Sequence, residues 1–149
     1  MISWSRKSFD ELNKNELYDL LRLRSEVFVV EQNCVYQDID NKDKKGSHFF
    51  AHDGSDLIAY LRVMELGVFY PNHISIERVV VKQTHRNKKL GNEILVKAID
   101  FCRKKFPKTQ IKISAQTQLK AFYNKLGFEF KGEAYIEDGI PHCAMYLRE

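Results

Sequence analysis

Cysteine is scarce in this 149-residue chain, and long apolar runs are absent. Its three cysteines, Cys34, Cys102 and Cys143, are far apart and form no Cys-x-x-Cys pair. A disulfide framework and a zinc site are therefore not expected, and we predict no metal. No apolar segment approaches the ~20 residues that cross a bilayer. The amino terminus also lacks the apolar stretch of a signal peptide. These absences favour a cytoplasmic protein with no membrane partner.

Linkers, repeats and low-complexity tracts are missing as well. The seven glycines and three prolines are scattered, and the length suits one domain over residues 1–149. The net charge of +4 is mild. Its basic cluster within residues 82–105 could form a nucleic-acid face. A polyanionic cofactor accounts for the loop part of that cluster more economically, and cations at a helix end complement the helix dipole. We therefore expect no nucleic-acid partner.

The most informative segment is a β-branched run that stops at a short basic loop before a helical pattern. The run covers Ile74–Val81, the loop precedes Leu90, and apolar residues then recur at helical spacing. A strand that enters a helix in this way directs free backbone N–H groups and the positive end of the helix dipole at one point. Such a point favours an anion, above all a pyrophosphate. Gly91 has no Cβ and so permits close approach to the backbone.

Three phosphate-binding schemes use a strand, a loop and a helix. A Walker loop requires a Gly-Lys-Ser/Thr ending, which is absent here. A dinucleotide fingerprint requires three glycines after the first strand, whereas this loop has one glycine and lies past mid-chain. Arg86–Gly91, RNKKLG, resembles the third scheme, the Arg/Gln-x-x-Gly-x-Gly/Ala loop of the GNAT superfamily of N-acetyltransferases. That loop grips the pyrophosphate of acetyl-coenzyme A. Lys89 stands where its first glycine usually lies.

Further segments extend the resemblance over nearly the whole chain, from about Trp4 to Leu147. Leu119–Phe128, LKAFYNKLGF, resembles the Ala-x-x-Phe-Tyr-x-x-x-Gly-Phe segment that closes the coenzyme site of the superfamily. Its apolar spacing predicts a short helix, which Gly127 should end in the left-handed conformation. Arg24–Asp40 and Glu137–His142 resemble blocks of the ElaA-like branch of these proteins.

The resemblance implies the GNAT fold, an α+β architecture with a central mixed and splayed β-sheet flanked by helices on both faces. The order of the patterns agrees with a mixed sheet. A long helix is predicted over about Leu90–Lys105, and strands are predicted near Gln110–Ala115, Glu129–Tyr135 and His142–Leu147. Two neighbouring parallel strands should splay apart, so that the pantetheine arm of the coenzyme enters between them.

The resemblance also implies an acetyl-coenzyme A-dependent N-acetyltransferase. Such an enzyme moves the acetyl group from the thioester directly to a primary amine of a small molecule or peptide. Two alternatives stay open: a catalytically silent acyl-coenzyme A-binding regulatory protein, and an acyltransferase like the acyl-homoserine-lactone synthases. The latter share Arg24 and Phe28 at the start of the fold but are longer. A monomer or a homodimer is expected, and the identity of the acceptor amine stays open.

The predicted coenzyme contacts follow from the two motifs. Backbone amides at the end of the splayed strand should serve the pantetheine and the thioester carbonyl. The basic loop should hold the pyrophosphate, mostly through backbone N–H groups. The full set is Val79, Val80, Val81, Arg86, Asn87, Lys88, Lys89, Leu90, Gly91, Asn92, Gln116 and Tyr123.

Acyl transfer to an amine requires a neutral amine and a proton for the leaving thiolate. Tyr123 is the predicted general acid, because a phenol of pKa ~10 suits a thiolate of similar basicity. The general base stays open: Glu77 would act through water, and His142 is the rival because histidine titrates near neutral pH. His48 is a weaker candidate, and water alone could collect the proton.

The substrate side is predicted from charged and aromatic residues near the amino terminus. The predicted substrate contacts are Arg24, Phe28, Asp38, Asp40 and His48. The acids of the early loop, Asp38, Asp40 and Asp43, would suit a cationic amine, as would Glu137 and Asp138 near the carboxyl terminus. Solvated loop acids are equally expected in any soluble protein.

Overall fold

The computed structural model describes residues 1–149 and contains eight strands in one sheet. The strands are β1 (Ile2–Ser8), β2 (Ser47–Asp53), β3 (Asp56–Met64), β4 (Ile74–Val81), β5 (Ile111–Gln116), β6 (Phe128–Phe130), β7 (Tyr135–Glu137) and β8 (Ile140–Leu147). The α-helices are α1 (Lys14–Arg24), α2 (Leu90–Lys105) and α3 (Lys120–Lys125). A π-helical segment, Ser25–Glu31, continues α1, and short 3₁₀ turns cover Asp43–Lys45, Gln83–His85 and Thr117–Leu119. No helix has the length and apolar content needed to cross a membrane.

The sheet is mixed, in the order β1-β2-β3-β4-β5-β8-β6, with β7 paired to β8 beside this path. The first four strands pair antiparallel, and β4 and β5 are parallel neighbours. Helix α1 covers one face, where Leu20 and Leu23 pack with Phe50 and Tyr60. Helix α2 covers the opposite face with a larger apolar cluster. The predicted α+β architecture with helices on both faces is confirmed.

Local sequence signals explain where the first helix begins. Asn13 and Glu16 form a capping box: Asn13 Oδ1 accepts from the Glu16 N–H at 2.8 Å, and Glu16 Oε1 accepts from the Asn13 N–H at 2.9 Å. Two backbone donors that a helix start leaves free are thereby satisfied. Helix α2 has no such side-chain cap, and its N-cap residue is Lys89. Its first N–H groups therefore have no side-chain acceptor.

Strand β4 contains a bulge at the centre of the sheet. Arg62 of β3 lies opposite Glu77, but Tyr60, two residues earlier in β3, lies opposite Val80, three residues later in β4. The extra residue includes Arg78, whose φ of 57° is left-handed. A bulge re-aims the side chains that follow it, because one inserted residue reverses the alternation of faces.

Beyond the first residues of β4, the sheet opens. Strands β4 and β5 share only the pairs Ile74 with Ile111 and Ser75 with Lys112. On its other edge, β5 stays paired with β8 from Lys112 as far as the pair Gln116 with His142. The two parallel strands therefore separate toward their carboxyl ends, which is the predicted splay.

The carboxyl-terminal strands differ from the prediction. The expected strand near Glu129–Tyr135 is two short strands, β6 and β7, separated by a segment that includes Gly132 at a φ of 89°. The last strand also begins earlier than His142. Asp138 and Gly139, at φ values of 50° and 77°, form a tight connection between β7 and β8. Two successive positive φ values suit a two-residue hairpin turn, and Asp-Gly is a favoured sequence for it.

Candidate functional site

The splay between β4 and β5 opens into a cleft with about 890 Å³ of empty space. Its walls come from β4, β5, α3, the β7–β8 hairpin and the segment that follows the π-helical turn. Its aromatic lining is Phe28, Tyr36, Phe69, Tyr70 and Tyr123. Its polar and charged lining is Gln32, Glu77, Arg78, Ser114, Gln116, Glu137, Asp138 and His142. The cleft therefore combines aromatic and polar walls and carries more carboxylates than cations.

A second cavity lies where β4 ends and α2 begins. It is lined by Val81, His85, Arg86, Asn87, Lys89, Leu90, Gly91, Asn92 and Phe122. Most of the predicted pyrophosphate contacts are thus brought together in one place. Lys88 and Val80 are outside this lining. Lys88 is exposed to solvent, and the Val80 side chain is buried against α1, so only the Val80 backbone faces the splay.

The loop adopts a conformation that glycine would adopt easily. Asn87 and Lys89 have φ values of 66° and 61°, in the left-handed region that few side chains enter. Lys89 therefore takes the backbone conformation expected of a glycine at the position where the GNAT loop usually has one. The loop keeps its shape despite the substitution, and the lysine adds a positive charge next to the helix start.

Gly91 has no structural reason to be glycine within the protein itself. Its φ is not positive, and a Cβ built on it would lie 3.7 Å from both Phe122 Cζ and Val81 Cγ2, which is ordinary van der Waals contact. Since neither backbone conformation nor packing requires the glycine, close approach of a ligand to the first turn of α2 is the use that fits it. The N–H groups of that turn have no intrahelical acceptor.

The Arg86 side chain anchors the loop. Its Nε donates to the Val81 carbonyl at 3.0 Å, and its Nη1 and Nη2 donate to the Glu31 carboxylate at 2.6 and 3.0 Å. The guanidinium therefore ties the loop both to the end of β4 and to the π-helical segment. This arrangement leaves the backbone of Arg86, more than its side chain, available to a phosphate.

Tyr123 lies at the bottom of the cleft on α3. Its ring packs edge-to-face on Phe122 and Phe128, with centroids 5.2 and 5.8 Å away. The residue is 7% exposed, and its hydroxyl makes no hydrogen bond to the protein. Burial raises the pKa of Tyr123 to about 12. The hydroxyl therefore stays protonated at neutral pH and faces the cleft as an uncommitted donor. Gln116, at the end of β5, lines the same cleft.

Glu77 also lines the cleft, but protein donors occupy its carboxylate. Its Oε1 accepts from Arg62 Nη2 at 2.6 Å and from Arg62 Nε at 3.2 Å. Its Oε2 accepts from the Ser75 hydroxyl at 2.9 Å. Glu77 therefore forms a salt bridge with Arg62 of the neighbouring strand β3, and this pairing opposes its predicted role as general base.

Three of the predicted substrate contacts lie in a buried ion-pair network instead of the cleft. Arg24, which is completely buried, donates to Asp38 at 2.9 Å and to Asp43 at 2.7 Å. Arg62, also completely buried, donates to Asp43 at 2.8 Å and to Asp40 at 2.7 Å. Although burial opposes it, hydrogen bonds from Arg62 lower the pKa of Asp40 to about 2. The prediction that Arg24, Asp38 and Asp40 contact substrate is corrected, because their charges are already paired within the protein.

The prediction that His48 contacts substrate is also corrected, because the protein itself occupies both ring nitrogens. Its side chain is completely buried, with Nδ1 2.6 Å from the Tyr60 hydroxyl and Nε2 2.8 Å from the Asp43 carbonyl. A carbonyl only accepts, so Nε2 carries the proton and Nδ1 accepts from Tyr60. Burial lowers the pKa of His48. Of the five predicted substrate contacts, Phe28 alone lines the cleft.

His142 lies on the cleft wall at the start of β8 and is 8% exposed. Its Nδ1 is 2.7 Å from the Ile140 carbonyl, and its Nε2 is 3.5 Å from Glu137 Oε2. Sequence reasoning did not assign Tyr70, Tyr135 or Ser114 to the site, and it named Glu137 only among the acids that would suit a cationic amine. The Asp138-Gly139 turn signal between Glu137 and His142 could have indicated that a hairpin brings those two side chains together.

The arrangement combines a helix start whose free N–H groups favour an anion with a cleft that holds a tyrosine hydroxyl and a histidine. Tyr123 can donate a proton, and His142 can accept one. The splayed edge of β4 lines the same cleft, and its backbone groups past Ser75 have no ladder partner in β5. These are the elements that acyl transfer from a thioester requires.

Comparison with known proteins agrees with this geometry. The family model described as an acetyltransferase (GNAT) domain matches residues 10–149. The chain is 39% identical to the protein ElaA of Escherichia coli over 147 residues, 97% of this chain and 95% of that protein. The crystal structure of Escherichia coli ElaA superposes with a TM-score of 0.93 at 37% identity, covering 99% of this chain and all of that one.

Two further structures place the chain within a wider group. An acyl-CoA N-acyltransferase from Pseudomonas aeruginosa superposes with a TM-score of 0.93 at 37% identity, covering 99% of this chain and 100% of that one. A CoA-dependent acyl-homoserine lactone synthase shares the fold at a TM-score of 0.75 and 17% identity, covering 98% of this chain and 82% of that one. On the family match and the extent of these identities, the chain belongs to the GNAT acetyltransferase domain family.

Proposed function

We propose that this protein transfers an acetyl group from acetyl-coenzyme A to a primary amine. The observation that carries the proposal is that the splayed edge of β4 connects two cavities along the chain: Val79 lines the cleft that contains Tyr123, and Val81 lines the cavity at the basic loop and the start of α2. Acetyl-coenzyme A would supply the acetyl group as an activated thioester. The basic loop, the edge of β4 and the cleft each offer groups that suit one part of acetyl-coenzyme A.

The start of α2 fits a pyrophosphate. The free N–H groups of its first turn and the positive end of its dipole favour an anion. Gly91 leaves the backbone accessible, and Lys89 places positive charge beside it. The unpaired edge of β4, near Val79 and Val81, is available for hydrogen bonds with an extended amide-bearing arm.

The proton transfers are assigned to Tyr123 and His142. The Tyr123 hydroxyl is protonated and makes no hydrogen bond to the protein, so it can donate to a leaving thiolate. His142 is preferred to Glu77 as the proton acceptor, because Arg62 and Ser75 already donate to the Glu77 carboxylate. Glu77 then acts through its charge and by positioning water or the amine.

A binding experiment and a turnover experiment together test the proposal. Acetyl-coenzyme A should raise the melting temperature in a dose-dependent way, because a ligand selective for the folded state stabilises it by mass action. Purified protein should also release thiol from acetyl-coenzyme A when an accepted amine is added. A flat thermal titration at millimolar cofactor would contradict the proposal. A thermal shift without thiol release over a broad amine panel would instead support the regulatory alternative.

A further inference from the structure

The end of the π-helical segment makes side-chain contacts with both sides of the splay. Glu31, its last residue, accepts from the Arg86 guanidinium at 2.6 and 3.0 Å, and Arg86 Nε donates to the Val81 carbonyl at 3.0 Å. The next residue, Gln32, accepts through Oε1 from Gln116 Nε2 at 3.4 Å. Val81 is the last residue of β4, and Gln116 is the last residue of β5. Two consecutive residues are therefore connected to the carboxyl ends of the two splayed strands.

These two residues, Glu31 and Gln32, are called the clasp below. Neighbouring Cα atoms are about 3.8 Å apart, so side chains make up most of the bridge between the strand ends. Arg86, which binds one clasp residue, lines the cavity at the start of α2, and Gln32 itself lines the cleft. The clasp therefore lies at the boundary of the two cavities. A ligand that occupies both cavities and follows the edge of β4 has to pass it.

The base of the clasp is fixed by backbone hydrogen bonds within its own segment. The Gln32 N–H donates to the Val27 carbonyl at 3.0 Å, and the Cys34 N–H donates to the Val29 carbonyl at 3.1 Å. Val27 is buried, so this base is anchored in the core. The contacts with the strand ends involve only side chains on the clasp. They can open without the loss of a backbone hydrogen bond, which keeps the energy needed for opening small.

The ion pair of the clasp has a geometry that suits reversible closure. Both Nη atoms of Arg86 contact the Glu31 carboxylate, and such bidentate pairing is directional. The two side chains are 35% and 34% exposed, whereas the arginines of the buried network, Arg24 and Arg62, are completely buried. Solvent weakens a partly exposed pair, so this one can separate while the buried network stays intact.

We propose that the clasp closes over the pantetheine arm of a bound coenzyme and holds that arm against the edge of β4. The inference rests on the proposed function and makes Glu31 and Gln32 positioning residues, which act through Arg86 and Gln116. A closed clasp hinders the departure of the arm, so its main effect should be on the dissociation rate. The pyrophosphate, which would lie in the cavity at the start of α2, should not depend on it.

A purely structural role for Glu31 predicts a different result. If its pair with Arg86 only maintains the shape of the basic loop, loss of the pair should weaken every ligand of that loop equally. The nucleotide half of coenzyme A keeps the ribose phosphate and the pyrophosphate and lacks the pantetheine arm. Comparing its affinity with that of acetyl-coenzyme A therefore separates the two roles. Because both ligands carry these phosphates, the ratio of their affinities also largely cancels the long-range effect of a changed charge.

A matched set of variants tests the clasp by calorimetric titration of both ligands. Glu31→Gln keeps the size of the side chain and removes the charge that pairs with Arg86. It should lower the preference for acetyl-coenzyme A over the nucleotide half about fivefold, the upper end for one partly exposed ion pair. Gln32→Ala removes the longer contact and should lower the preference about twofold. The control is Glu26→Gln, which should match the parent, because Glu26 is in the same segment and lines neither cavity.

The dissociation rate gives a second readout that does not depend on turnover. Surface plasmon resonance on the immobilised protein should show acetyl-coenzyme A leaving Glu31→Gln about five times faster than it leaves the parent. The association rate should change by less, since an open clasp does not obstruct entry. An unchanged dissociation rate combined with slower association would overturn the clasp.

The inference and the proposed function fail in different ways. An unchanged affinity ratio in Glu31→Gln, including equal weakening of both ligands, would overturn the clasp alone. If the parent bound acetyl-coenzyme A but released no thiol with any amine, the catalytic part of the proposed function would fail, and the affinity ratios would still decide on the clasp. Absence of acetyl-coenzyme A binding by the parent would remove the proposed function and the clasp with it.

Discussion

The two halves of the sheet, which meet at β4, differ in whether the nearby carboxylates have arginine or lysine partners. On the β1–β4 side, Asp38, Asp40 and Asp43 are paired with Arg24 and Arg62, and both arginines are completely buried. On the other side, Glu137 faces the cleft at 48% side-chain exposure without an arginine or lysine partner. The first three carboxylates are neutralised inside the fold, whereas the Glu137 carboxylate stays available in the cleft.

The strand pairing shows the same contrast. Strands β1 and β2 pair along the whole of β1, from Ile2 with Asp53 to Ser8 with Ser47. Strands β4 and β5 pair at Ile74 and Ser75 only. Burying charges is unfavourable unless each has a partner, so paired carboxylates belong to the closed half. The closed half therefore contains charges that depend on their partners, whereas the open half leaves an unpaired strand edge beside the cleft.

The largest effect should come from breaking the network in the closed half. Arg62→Met leaves the Asp40, Asp43 and Glu77 carboxylates short of a cation, and removing one partner of a buried pair costs about 3–5 kcal/mol. Urea unfolding should show a loss of that size. The control is Arg148→Met, because Arg148 is exposed and its contact with Glu129 is 3.7 Å long. A loss below about 1 kcal/mol for Arg62→Met, the size expected of a surface pair, would remove the contrast.

In the open half, deleting one hydroxyl should reduce activity without reducing stability. Tyr123→Phe should lower kcat roughly 10- to 1000-fold, the low to middle part of the range for general acids. Coenzyme binding and the urea midpoint should stay near the parent values, because the hydroxyl has no protein partner to lose. Steady-state kinetics with an accepted amine, beside Tyr18→Phe as an exposed control, measures this. Turnover at the parent rate would make Tyr123 a packing residue.

The pH dependence of the same residue has a defined sign. Burial raises the pKa of Tyr123 to about 12, above the ~10 of an unfolded tyrosine. The stability that depends on its neutral form is therefore fully present below pH ~10 and is lost as pH rises toward the folded value. The free energy of unfolding of the parent protein, measured against pH, should therefore show no decrease assignable to Tyr123 below pH ~10. If such a decrease were present and Tyr123→Phe abolished it, the assignment of the raised pKa would be wrong.

A smaller effect is expected at the coenzyme loop. Gly91→Val should leave the protein folded, since a Cβ there meets Phe122 and Val81 only at ordinary contact distance. Calorimetric titration should show acetyl-coenzyme A binding weakened about tenfold or more, equivalent to about 1.4 kcal/mol. Binding as tight as the parent would mean that the pyrophosphate does not lie on this loop.

The smallest effects should separate charge from conformation at Lys89. Lys89→Gly removes a side chain from a left-handed position that costs roughly 1–2 kcal/mol for other residues, so folding stability should rise or stay level. Lys89→Ala keeps that strain and removes the charge. Both should weaken coenzyme binding at low salt and have little effect at high salt, as expected for a screened surface charge. An equal loss at all salt concentrations would indicate a direct, buried contact.

Several features of the fold and site were predictable because their causes are local. The capping box at Asn13, the strand Ile74–Val81 and the helix Leu90–Lys105 each depend on side chains a few residues apart. The apolar spacing around Tyr123 predicted its short helix, whereas the resemblance to the superfamily implied its place in the cleft. The bulge at Arg78 had no such signal, because it exists only through the register between β3 and β4.

The strand, basic loop and helix at the proposed coenzyme site were predictable from sequence, because these residues are contiguous and their geometry follows from backbone rules. Which acidic residues are structural became evident in the folded protein. The loop acids Asp38 and Asp40 resemble Glu137 in sequence, and all three could contact a cationic amine. They differ because folding brings Arg24, Arg62 and Arg78 next to the first two and leaves Glu137 facing His142. Charge pairing between distant segments is a property of the folded sheet, and local patterns do not contain it.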